Sequence, residues 1–392
     1  MTPEEIELLS EVTIIIPTCE RPLALERAIE YWRDLPVKVF ILDGSEKPWF
    51  SVGVMERLPS ICYFHVPPIG NENWMENFAR RMQVASSLPS TKFSALCGDD
   101  DFFSDSGLIL AIRRLQIDDG VDAVVGVCGE FRRNSEELMW HLRYTEWKNG
   151  INSRSNNLEE RVLDRTGSFY LYYSVMKSEI WRSIFSLVYQ ISYDHDYAHE
   201  HLHKAIALGH CRVSVERYIM WIKEAWNLNP NVIGQASRTR EADWYRNRKN
   251  RAEVKMITDH LAMGITNTGG ISVHVARRIA KKYMRRTAKI TDTAKFRKVK
   301  KLIIGKIVYL VSILPMRIKS TINSLLPKKL RVFTGAVSQV PFDNLTKNNF
   351  FALETLLDLL PSTGIGFDRK DFERIERVLL MPREELRLRA NI

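Results

Sequence analysis

Several features that would settle the class of this chain at once are missing from it. Its 392 residues hold only five cysteines, Cys19, Cys62, Cys97, Cys128 and Cys211, scattered and without a C-x-x-C or other ligand spacing. Neither a disulfide framework nor a cysteine-based zinc site is indicated, and small buried thiols in a reducing compartment are the simplest reading. No apolar run reaches the roughly 18 residues that span a bilayer. The longest, Leu302–Met316, is interrupted by Lys306. The stretch Met1–Val12 is acidic and lacks the cationic start of a signal peptide. Neither G-x-G-x-x-G nor G-x-x-x-x-G-K-[ST] occurs, which disfavours a Rossmann dinucleotide site and a P-loop. No repeat or low-complexity tract is present. An intracellular protein, soluble or peripheral to a membrane, is expected.

Hydrophobic residues make up 45% of the chain and aromatics 10%, so it can bury cores, and its length allows two or three domains. Charge is uneven. Residues 236–331 carry 25 Lys and Arg against five Asp and Glu, a balance of +20, so the rest of the +10 chain sums to −10. Two regions of opposite character follow, with a boundary near the loop signal at Asn227–Ala236.

The first 130 residues alternate strands and helices. Val12–Ile16, Val37–Leu42, Ile61–Val66, Phe93–Cys97 and Asp122–Val127 read as buried strands. Pro22–Arg33, Asn71–Ser87 and Asp105–Ile117 read as helices between them. That alternation implies an α/β fold with a mostly parallel sheet and right-handed crossovers. Residues 132–165 are polar and less periodic. Beyond them a Tyr-rich strand is expected over Ser168–Met176, helices over Ser178–Val188 and His195–Leu208, and one long strand or a strand pair over Cys211–Lys223.

Three strand ends carry ligand-suited residues. These are Pro17-Thr18-Cys19-Glu20-Arg21-Pro22, Asp43-Gly44-Ser45, and Asp99-Asp100-Asp101. All fall on the edge of a parallel sheet where open α/β folds bind ligands. Three adjacent carboxylates repel unless a cation screens them, and hard divalent ions take such oxygen ligands. A solvated turn, with Ser104 capping the next helix, is the plainer alternative.

The order TIIIPTCERP, ILDGS, GNENWMENFARRM, LCGDDDFF resembles the start of a GT-A-fold, family-2-like bacterial glycosyltransferase, over about residues 12–225. The resemblance implies a Rossmann-like GT-A sheet for residues 1–235, followed by a basic, mainly helical region. It implies that Pro17, Thr18, Glu20 and Arg21 line the donor nucleotide and that Asp43 accepts from its base or ribose. Asn77 and Arg80 would face the sugar-nucleotide, although both could equally face water. Asp99 and Asp101 would hold Mn²⁺ or Mg²⁺ against the donor diphosphate, with Asp100 beside them. Lys177 would contact a donor or acceptor phosphate, and the nearby tyrosines are either core or sugar-stacking surface. For the general base of an inverting transfer, Glu200 is favoured and Asp196 is the alternative. The implied partners are a nucleotide-sugar donor and a saccharide or lipid-linked acceptor.

His199-Glu200-His201-Leu202-His203 also matches H-E-x-x-H, a zinc motif, but surface histidines on a partly exposed helix are the commoner explanation. Ala276, Ile279, Ala280, Tyr283 and Met284 form an apolar stripe amid Arg277, Arg278, Lys281, Lys282, Arg285 and Arg286. Lys295–Lys301 adds more cations. This basic region, taken as 236–331, suits an anionic membrane surface, which the resemblance implies is the inner face of the cytoplasmic membrane. It could instead pack its stripe on the catalytic domain, and nucleic-acid binding is the disfavoured third reading. Residues 332–392 read as a small helical segment, with helices at Phe350–Leu360 and Asp371–Leu380.

Overall fold

The computed structural model describes residues 1–49, 58–133, 138–143, 154–163, 170–193, 197–224, 241–287 and 351–390. The expected loop signal at Asn227–Ala236, the Lys295–Lys301 cluster and Leu302–Met316 lie outside these residues.

A single mixed sheet organises the chain. Its strands are β1 (Val12–Thr18), β2 (Lys38–Asp43), β3 (Ile61–His65), β4 (Phe93–Leu96), β5 (Phe102–Phe103), β6 (Ala123–Arg133), β7 (Leu138–Arg143), β8 (Val175–Lys177), β9 (Val213–Glu224) and β10 (Phe351–Ala352). The order is β10-β7-β6-β8-β4-β1-β2-β3, with β9 joining β6 to β5. Strands β3, β2, β1 and β4 are mutually parallel, and β8 runs against β4. Following the pairings outward, β5, β7 and β8 alone oppose the common direction. The α/β class with a mostly parallel sheet agrees with expectation. Val12, Ile14, Ile15 and Ile16 are completely buried, which explains why β1 is an unbroken β-branched run rather than an alternating one.

Helices cover the sheet: α1 (Pro3–Ser10), α2 (Pro22–Trp32), α3 (Trp74–Ala85), α4 (Asp105–Ile117), α5 (Leu158–Val162), α6 (Ser178–Val188) and α7 (Tyr197–His210). Helix α3 begins with a capping box, in which Asn73 accepts from the backbone of Met75 and Glu76 while Glu76 accepts from Asn73 N. Ser104 caps α4 by accepting from Gly107 N, and its hydroxyl donates to Ile219 O at 2.7 Å, tying that helix start to β9. The chain continues in α8 (Glu241–Arg246), α9 (Arg251–Gly269), α10 (residues 273–287), α11 (Leu353–Thr363), α12 (Arg369–Leu380) and α13 (Arg383–Ala390).

The sequence expectations fail where side chains pack against distant partners. Tyr170–Tyr173 is a 3-10 turn, and only Val175–Lys177 is strand. Tyr172 and Tyr173 pack against the core, with Tyr173 stacked 4.1 Å from Trp221. Strand β7 occupies the polar stretch that showed no period, burying Leu138, Trp140, His141 and Leu142. Cys211–Lys223 resolves as one long strand, Val213–Glu224.

Helix α10 buries Ala276, Ile279, Ala280, Tyr283 and Met284, while Arg277, Arg278, Lys281, Lys282 and Arg285 stay exposed. Tyr283 meets α7 through His201 Nδ1 at 3.3 Å and lies under Lys204 Nζ. The apolar stripe is therefore already covered by protein. Among the described residues no helix is long and apolar enough to cross a membrane.

Candidate active site

The parallel pairing of β1 with β2 sets Thr18 beside Asp43, and the pairing of β1 with β4 brings the Asp triplet to the same edge. Side chains then lock the loops together. The Thr18 hydroxyl donates to Asp99 at 2.7 Å. Arg21 pairs with Asp99 and, at 3.2 Å, with Asp100. Asp43 accepts from Ser45 N at 2.9 Å, from Ser45 Oγ and from the Tyr63 hydroxyl, so its carboxylate is fixed before any ligand arrives.

Glu20 has φ of +54°, alone among the described non-glycine residues in the left-handed region. That conformation costs about 1 kcal/mol, and two bonds hold it. Its amide donates to Ser45 Oγ at 2.8 Å and its carboxylate accepts from Glu46 N at 2.9 Å. The first two loops are thereby clamped to one another. Thr18, Glu20, Arg21, Pro22, Leu25, Asp43, Ser45 and residues 46–49 line a cavity of about 520 Å³, completed by Arg387. Pro17 lies within β1, paired with Leu42.

A second cavity of about 420 Å³ adjoins it, sharing Glu20 and Glu46 and lined also by Cys19, Gly44, Glu72, Trp74 and Asn77. Asn77 is buried and donates to Val66 O at 3.1 Å. Arg80 instead pairs with Glu72 at 2.9 Å and donates to Pro67 O. The arginine that reaches the strand ends is Arg81, which donates to Thr18 O and Leu42 O from a fully buried position. A Cβ on Gly44 would stand 2.6 Å from Arg81 Nε, so only glycine admits this approach. Arg81 follows Asn77 by four residues and Arg80 by three, and both spacings share a helix face, so the sequence alone does not single out Arg81.

The acids differ in their surroundings. Burial is the largest influence on Asp99 and lifts its carboxyl to about 7, against the pull of Arg21. Burial, then Asp100, also raises Asp101 well above the carboxylate range, opposed by Lys223 and a hydrogen bond from Tyr173. Burial thus disfavours the charged form of both carboxyls, a cost that a bound cation would offset. Among the described residues no group of three or more protein ligands is assembled. Asp99 and Asp101 offer two carboxylates, the oxygen donors that Mg²⁺ takes together with substrate phosphate and water.

Not every expected residue reaches this edge. Lys177 pairs in register with Phe93, at the opposite end of β4, and its ammonium lies 3.2 Å from Asp122. Glu200 is exposed on α7 and within electrostatic reach of Tyr172 and Tyr189, whose hydroxyls lie 3.0 Å apart. Asp196 lies outside the described residues.

The histidines are not at the surface. His199, His201 and His203 are buried, His199 stacks on Tyr189 and bonds Ile191 O at 3.0 Å, and His203 sits between Tyr172 and Phe185. Burial lowers His199 to about 4 and His203 to about 3, so both are neutral core rings. Aromatic neighbours replace the carboxylates and open coordination space a zinc centre needs.

No protein-family model matches the chain, and no curated protein sequence matches it. Among solved structures it is similar to S. aureus TarS, with 13% identity, a TM-score of 0.44, and coverage of 94% of this chain but 54% of that one. The chain thus spans about half of that protein's length. It is similar to TarS 1-349 at 12% identity and a TM-score of 0.42, covering 97% and 92%. It is also similar to glucosyl-3-phosphoglycerate synthase from Mycobacterium tuberculosis, solved in complex with Mn²⁺, UDP and glucosyl-3-phosphoglycerate. That match has 11% identity, a TM-score of 0.34 and coverage of 61% and 82%. With every TM-score below 0.5, these likenesses carry no functional argument.

Proposed function

We propose that this chain is a metal-dependent, inverting glycosyltransferase that moves a sugar from a nucleotide donor to a surface-polysaccharide or glycolipid acceptor. One observation carries the reading. Three loops from separate parallel strands are joined through Thr18–Asp99, Arg21–Asp99 and Glu20–Ser45 beside a single cavity. A cavity with fixed acceptors at Asp43 and a carboxylate cluster along its margin suits a nucleoside next to a diphosphate.

In this reading Asp43 accepts from the base or ribose, and Thr18, Glu20 and Arg21 border the nucleoside. Asp99 and Asp101 would hold Mg²⁺ or Mn²⁺, which when bound offsets the charge of the departing diphosphate. Glu200 takes the proton from the acceptor hydroxyl as that oxygen attacks the anomeric carbon. Asp196 is the second candidate for that role. Residues 1–235 would form the transferase domain, 236–331 a basic helical region, and 332–392 a small helical segment. Attachment to an anionic membrane would be electrostatic, through the exposed arginines and lysines of α10, because its apolar face is occupied.

A thermal-shift screen of nucleoside diphosphates and nucleotide sugars, with and without Mn²⁺, tests the class, the metal and the donor together. A rise in Tm with one nucleotide that grows with Mn²⁺ is expected. No shift with any of them, together with tight salt-sensitive binding to RNA or DNA, would put a nucleic-acid-binding protein in its place.

A further inference from the structure

The nucleotide cavity has one wall that comes from far along the chain. Helix α2, which follows the first ligand loop, buries Glu26 completely and Glu30 almost so. Like charges one helical turn apart inside a protein require cations. Helix α13 supplies them. Arg383 Nε lies 3.0 Å and Arg387 Nε 3.2 Å from Glu26, and Arg389 lies 3.3 Å from Glu30.

Arg387 does more than neutralise Glu26. Only its Nε is used there, and its terminal nitrogens have no acceptor among the described residues. Its guanidinium stands 5.8 Å from the Trp49 ring centre, and both side chains line the 520 Å³ cavity with Pro48, Leu25 and Asp43. An arginine anchored at Nε to a buried carboxylate is oriented, and its free planar fork is a donor-only surface. Asp43, when ionised, is an acceptor-only group in the same cavity.

We propose that α13 is part of the donor site and that Arg387, backed by Trp49, is a nucleobase-binding residue. An acceptor-only group and a donor-only group in one cavity suit the edge of a nucleobase, which offers an N–H beside a carbonyl or ring-nitrogen acceptor. Uracil, guanine, cytosine and adenine all present such a pair, so the two groups mark where a base sits rather than which base it is. Trp49 and Pro48 supply the flat apolar surface for the ring. The inference rests on the nucleotide-sugar reading of the cavity.

The test is calorimetric titration of the full chain with UDP, GDP, CDP, ADP and inorganic pyrophosphate in the presence of Mn²⁺. Wild type should bind at least one nucleotide more tightly than pyrophosphate. Arg387→Ala should weaken that nucleotide about tenfold or more, the loss of a charged hydrogen bond, and should leave pyrophosphate binding as in wild type. Arg389→Ala, which removes a cation from the same helix without touching the cavity, should bind as wild type does. Should Arg387→Ala fail to fold, Arg387→Lys, which keeps the charge but not the fork, must weaken the same nucleotide while leaving pyrophosphate binding unchanged. Nucleotide binding that is tight but identical in wild type and the Arg387 variants would overturn this inference while leaving the donor reading intact. Failure of all four nucleotides to bind wild type would remove the donor reading, and this inference with it.

Discussion

Two short stretches of this chain are crowded with titratable groups, and the structure uses them in opposite ways. Asp99-Asp100-Asp101 stands at the edge of the sheet, bonded to loops that surround a cavity. His199 and His203, on α7, pack on Tyr172, Phe185 and Tyr189. In both places burial shifts the ionisation, upward for Asp99 and Asp101 and downward for His199 and His203. The difference is what stands opposite. The acids meet a guanidinium, hydroxyls and an opening, whereas the histidine rings meet other rings. A crowd of ionisable residues becomes a site only where its charged form has something to act on.

The comparison can be broken most directly at Asp101. Asp101→Asn should lower transfer by about a thousandfold, the scale of losing an electrostatic contact to the transition state. It should also remove the Mn²⁺-dependent part of nucleotide binding by calorimetry, and Asp99→Asn should do the same. Unchanged Mn²⁺ dependence in both would take the metal away from this edge. Glu200→Gln should keep donor affinity and lower turnover by roughly a hundredfold or more; wild-type turnover would move the base to Asp196.

On the histidine side the expected damage is to stability. His203→Ala should cost about 2–4 kcal/mol in urea titration, because it empties a buried aromatic position. It should leave the metal content of the purified protein unchanged. Stoichiometric zinc, lost on His199→Ala, would turn the histidine stretch into a metal site after all.

The smallest effect concerns Asp371, which accepts from the Ser106 amide and hydroxyl where α12 meets α4. Burial raises its pKa from 3.8 to about 7. The folded state thus binds this proton more tightly than the unfolded state. The associated stability is fully present below the unfolded value and is lost as pH rises toward 7. Asp371→Asn should flatten the fall in Tm between those two pH values by a few degrees. A slope identical to wild type would show that Asp371 is ionised throughout.

Much of this organisation was legible in the sequence because it is local. The β-branched runs of β1 and β2, the Ser104 cap and the acid triplet after β4 each declare themselves within a dozen residues. What escaped depends on partners far away. Strand β7 is recognisable only against β6 and β10, and the Tyr170–Tyr173 turn only because Trp221 receives Tyr173. Arg81 rather than Arg80 reaches the strand ends, and the two share charge and a same-face spacing from Asn77, so only the position of Thr18 and Leu42 separates them. The role of α13 could not be read at all. Nothing near Glu26 announces that its counterions come from residues 383 and 387.

That pairing also has a consequence in time. Glu26 and its two arginines are separated by 357 and 361 residues. Closing a loop of that length is among the slowest steps open to the chain. Until it closes, Glu26 must stay in water and the cavity lacks the wall that α13 supplies. Nucleotide-binding competence should therefore arrive late in refolding, after the sheet has formed.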